Sequence, residues 1–193
     1  MEEIIEEYVL AFDELNKGTI EFISEVETIE NFDEKLNTAI DYILSYMIQA
    51  YVLGHEHSQR MLDASAEVST DAMYESIWLY IADENFEDRT RTHLRSGDME
   101  ALKLMIGDEY HRNYTQGAED AAKDISKRYS VFKTWLTRMD NRVRDTHFFL
   151  EAVTVDINDK FYTYDGDSAY RPGGFEKAEN NCGCRCLLMY SRL

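Results

Sequence analysis

The chain has 193 residues (22.6 kDa) with 38 acidic and 20 basic side chains, a formal net charge of −18. A hydrophobic fraction of 44% with 12% aromatics excludes a disordered acidic tail and predicts one compact domain, or one and a half. So negative a balance also excludes a protein that grips nucleic acid over its whole face, because counterion release needs clustered Lys and Arg.

Residues 1–128 contain no proline, and apolar residues recur at spacings of three and four, as in Ile4, Tyr8, Ala11, Phe12 and again in Leu36, Ile40, Ile43, Met47, Ala50. That periodicity predicts helix almost throughout. Asn31 with Glu34 resembles a capping box opening a helix that runs to about Leu62. Within it, His55-Glu56-His57 places two imidazoles about 200° apart, so they cannot converge on one ion and are expected at the surface. The Tyr and Met residues at helical spacing through 42–81 are expected in the core. Ser69 or Thr70 can cap another helix through Ile81, and a further one from Phe86 to Arg95 stops near Gly97. Asp98 then opens a long helix with Leu102, Met105, Ile106, Glu109, Tyr110 and Ala121 on one side.

The pattern changes after Tyr129. Val131 to Thr137 has the β-branched and aromatic content of a strand, and Asp140 can cap a short helix through about Leu150. Ala152 to Ile157 reads as extended, Asp165-Gly166 as a turn, Pro172-Gly173-Gly174 as a break, and Arg185 to Tyr190 as a final strand. The expected fold class is α+β: a mostly helical N-terminal part followed by a small α+β C-terminal module with a short antiparallel sheet. Charge divides similarly, since residues 1–50 carry −11, 51–100 −7, 101–150 +2 and 151–193 −2. We therefore expect an acidic helical region over 1–97 and a separate module over 98–193, of which residues 101–193 carry no net charge.

On a helix starting at Asp140, residues Asp140, Arg144 and His147 share one face, which by itself describes a cap with an i,i+4 ion pair. The wider order of residues says more. Thr134-Trp135-Leu136-Thr137 leads into Asp140, Arg142-Val143-Arg144 and His147, followed by Phe161, Arg171-Pro172-Gly173 and a final Cys184-Arg185-Cys186. This order resembles the MuF-like head morphogenesis domain of minor head proteins of tailed phages. The resemblance extends upstream through Asp108-Glu109-Tyr110-His111-Arg112-Asn113-Tyr114-Thr115-Gln116-Gly117, covering residues 105–190 well and 40–104 loosely. Two positions depart from the family pattern: Gly107 stands where an Arg is expected, and Cys182 is an additional thiol. The resemblance implies a structural network of Trp135, Asp140, Arg142, Arg144, His147 and Glu109. It also implies a virion component inside the capsid near the portal vertex, with the portal protein, and scaffold or major capsid protein, as partners.

All three cysteines lie in Cys182-Gly183-Cys184-Arg185-Cys186, too crowded for a disulfide framework. If the segment is extended, the three sulfurs share a face, and Cys182, Cys184, Cys186 and His147 could hold a structural zinc ion. The alternative is that Cys184 and Cys186 are small buried hydrophobes while His147 hydrogen-bonds within the Asp140–Arg144–His147 network. A Cys184–His147 nucleophile pair lacks any nameable oxyanion group, so the expectation is a protein that is not an enzyme. A zinc-stabilised hydrolase or toxin-like effector using the same His/Cys constellation is the rival reading. Lys133, Arg138, Arg142 and Arg144 offer a place for contact with DNA or an acidic partner, and so few cations predict weak, salt-sensitive binding. With no apolar run of about 18 residues and no signal-like N-terminus, no membrane association is expected and synthesis is expected in the host cytoplasm.

Overall fold

The structure, a computed structural model, describes residues 2–81 and 83–193. Helix α1 spans Glu2–Glu27 and α2 spans Phe32–Leu62. Asn31 accepts the Glu34 amide at 3.0 Å, and Asp63 ends α2 in the left-handed region. Ser69 caps α3 (Thr70–Ile77) by accepting from the Ala72 amide, so of the two candidate caps the serine is used. This helix stops four residues short of Ile81, because Ile81 and Glu84 bond to each other in a tight antiparallel bridge. Asn85 and Asp88 form a reciprocal capping box for α4 (Phe86–Ser96), and Gly97 closes it with φ 73°. Asp98 caps α5 (Met99–Ser126) through the Ala101 amide.

Helices α2 and α5 approach until their backbones touch. A Cβ on Gly54 would sit 2.0 Å from the Tyr114 carbonyl oxygen, and one on Gly117 would sit 2.0 Å from that of Tyr51. Only glycine permits that contact. Helix α1 lies against this pair, and Leu15, Phe22, Leu36, Ile43, Met47 and Ile106 fill a helical core. The far ends of α2 and α5 contribute Leu62, Ala118, Ala122 and Ile125 to a second core beneath the sheet, with Val131, Trp135 and Tyr190. Helix α5 thus belongs to both cores, and the packing runs through the expected 97/98 boundary although the charge changes there.

The histidines of α2 are buried rather than at the surface. They do point to different sides, but both sides are covered. His57 lies between the Tyr114 hydroxyl (2.9 Å) and Glu7 of α1 (3.0 Å), while His55 pairs with Gln59 at 3.1 Å under the segment that follows α2.

In the C-terminal module, β1 (Val131–Leu136) is central, flanked antiparallel by β2 (Thr154–Asp156) and β5 (Leu187–Arg192). Trp135 stands opposite Leu188, and Thr134 lies between Thr154 and Met189. Helix α6 (Asp145–Phe148), the hairpin of β3 (Phe161–Tyr162) and β4 (Ser168–Ala169), and α7 (Ala178–Asn181) complete the α+β module. The helix expected from Asp140 is reduced to one turn. Asp140 instead accepts from the Arg142 amide and pairs with Arg185, which commits residues 137–144 to an irregular path. Strand β5 begins at Leu187, so Cys184 and Cys186 precede it. No helix among the described residues is long and apolar enough to cross a membrane.

Candidate functional site

His147, in α6, meets Cys184 and Cys186 on the approach to β5. Its Nδ1 lies 3.7 Å from Cys184 Sγ and 3.5 Å from Cys186 Sγ, and the three donor atoms all lie within 4.8 Å of one another. The cluster is enclosed, with His147 1% and each cysteine 4% exposed. Local contacts explain the convergence. Gly183, with φ 64°, turns the chain into the cluster and donates its amide to Asp108 at 2.7 Å. Arg185 points outward to a two-point pair with Asp140 at 2.6 and 2.8 Å, which turns the flanking cysteines inward. The His147 ring stacks on Phe175 and meets Trp135 edge-on, and Trp135 in turn meets Phe161.

The two thiols are free. A hydrogen bond from Cys186 pulls the Cys184 thiol well below the ordinary range, helped by His111 and His147, and the same bond and burial push Cys186 up. Asp108 is raised to about 6 by burial, against the pull of the Gly183 amide. Three ring nitrogens around the cluster, Trp135 Nε1, His147 Nε2 and His111 Nε2, are buried without a hydrogen-bond partner.

The structure rearranges several expected site residues. Cys182 is exposed and its sulfur stands outside the cluster, because it terminates α7 and the left-handed Gly183 breaks the alternation between residues 182 and 184. The Asp140–Arg144–His147 network does not form: Asp140 pairs with Arg185, Arg144 donates to the Cys182 carbonyl, and His147 faces the sulfurs. Arg142 contributes its amide to Asp140 and is otherwise exposed. Glu109 is buried in an ion cluster with Arg89 and Arg112, so its positive partners come from α4 and α5 and not from position 107. Trp135 is fully buried at the centre of the module.

Lys133 is also withdrawn from the expected cationic face. It is 0% exposed, donates to the Tyr170 carbonyl at 2.8 Å and lies 3.6 Å from Glu119, and burial lowers it to about 8. Arg138, Arg142 and Arg144 remain near one another, joined by Arg185, around a cavity of about 10 Å³ bordering His147 and Cys186. Two participants were missed in the sequence, Arg185 and His111. A signal existed for His111, since His111, Thr115, Ala118 and Ala122 recur at helical spacing on a buried face of α5.

No family model matches the chain, and no solved structure matches it. Two curated proteins do. Over 88 residues the chain is 28% identical to minor head protein GP7 of Bacillus phage SPP1, covering 46% of this chain and 29% of that protein. Over 72 residues it is 35% identical to the NAD(+)–arginine ADP-ribosyltransferase EFV of Enterococcus faecalis, covering 37% of this chain and 14% of that protein. The chain therefore spans less than a third of the length of either relative.

Proposed function

We propose that this chain is a minor head protein of a tailed phage, a non-enzymatic component of the capsid acting in head morphogenesis beside the portal. The observation that carries the reading is the similarity to the SPP1 minor head protein, which agrees with the ordered run from Thr134 to Cys186. The surface suits an assembly role. Acidic helices repel packaged DNA, while α1 leaves Ile5, Val9 and Leu10 beside Arg138 in an open groove that a portal or scaffold surface could fill. His147, Cys184 and Cys186 are almost wholly buried, which supports a role in holding the module together.

The test is location and binding. Immunoblots of purified procapsids and virions should detect the protein, and the portal protein should retain it in a pull-down. Absence from both particles together with no portal binding would overturn the reading. The likeness to the ADP-ribosyltransferase favours a second reading, in which the fold is a module carried by an effector. Turnover of NAD(+) by the purified chain would support that reading, and none is expected.

A further inference from the structure

We propose that the C-terminal module holds a zinc ion ligated by Cys184, Cys186 and His147. Zinc bonds of about 2.3 Å to sulfur and 2.0–2.1 Å to nitrogen place a ligating N and S about 3.5–3.6 Å apart in a tetrahedron. The observed separations from His147 Nδ1 to the two sulfurs, 3.5 and 3.7 Å, match that edge. The doubled contact is the informative part. One imidazole nitrogen carries either one proton or one lone pair and can make one well-aligned hydrogen bond, yet Nδ1 stands at equal reach of two sulfurs. A single ion between the three atoms accounts for both separations at once.

His111, in α5, has its Nδ1 held by the Tyr8 hydroxyl at 2.6 Å and lies outside the group of donor atoms within 4.8 Å of one another. Trp135 meets His147 edge-on, and its Nε1 is buried without a hydrogen-bond partner. The three ligands are 1–4% exposed, so the ion would sit in the packed interior of the module, its fourth position left to a non-protein ligand. Cys182, exposed and outside the cluster, is no ligand. The ligands come from α6 and from the approach to β5, so the ion would tie these two segments of the module together. The inference is independent of any role in a phage head.

The full chain, expressed with zinc and purified, should contain one equivalent of metal by mass spectrometry, and chelation should lower its Tm. Cobalt substituted for zinc should give the visible absorption of a tetrahedral site with thiolate ligands. Cys182→Ser should keep the metal and the spectrum unchanged. His147→Ala and Cys184→Ser should lose the metal. Because these last variants can also fail to fold, the wild-type spectrum and Cys182→Ser decide the matter. Metal-free wild-type protein whose Tm ignores chelation, or loss of metal in Cys182→Ser, would overturn the site.

Discussion

Trp135 shows how much can rest on one side chain. It is fully buried, touches His147, Phe161 and Phe175, and stands at the middle of β1 opposite Leu188. Trp135→Ala should cost about 3–5 kcal/mol in urea unfolding, through lost transfer energy and an unfilled cavity. His57 makes the protein sensitive to acid. Burial lowers its pKa below the ordinary 6.5, although Glu7 pulls the other way. Between the lowered folded value and 6.5 the unfolded chain binds more protons, so stability is present above pH 6.5 and is lost as pH falls through that window. His55, lowered by burial as well, adds in the same direction. Between pH 7 and pH 5 the Tm of the wild type should therefore fall further than that of His57→Gln.

At the scale of elements, the crossing of α2 and α5 depends on two glycines. Gly117→Ala would place a methyl 2.0 Å from the Tyr51 carbonyl oxygen, against backbone that cannot rotate away. The helices must then separate, loosening the neighbouring bond from the Tyr51 hydroxyl to Asp120 (2.6 Å) and the contacts of Ala118 and Ala122 beneath the sheet. A loss of at least about 1–3 kcal/mol is expected, measured by thermal or urea unfolding, whereas Gly97→Ala, with open space around its Cβ, should show only the cost of its left-handed backbone. The two cysteines of the cluster illustrate a different dependence. They face inward because the Arg185–Asp140 pair and the left-handed Gly183 hold the approach to β5, not because they belong to a strand.

Across the whole molecule, charge and packing divide the chain differently. The negative excess lies in residues 1–100, yet α5 buries Leu102, Met105 and Ile106 against the acidic helices and Ala122 and Ile125 against the sheet. Residues 98–193 expressed alone should therefore lack a cooperative unfolding transition and bind a hydrophobic dye, because one face of α5 loses its cover. A sharp transition from that fragment would show the module to be autonomous.

Much of the helical part was legible from local chemistry. Asn31, Ser69, Asn85 and Asp98 carry side chains that accept from amides of the next turn, and apolar spacing identifies the faces that become the core. The strand at Trp135 and the pairing of His147 with Cys184 and Cys186 were also visible as residue types in order. What the tertiary structure decided were the long-range partners. Asp140 and Arg185 are 45 residues apart, Tyr8 and His111 are 103 apart, and spacing along one helix says nothing about either pair. Burial of His55, His57 and Lys133 was likewise set by neighbours arriving from distant segments, since a polar residue reads as exposed until another element covers it and supplies a hydrogen-bond partner.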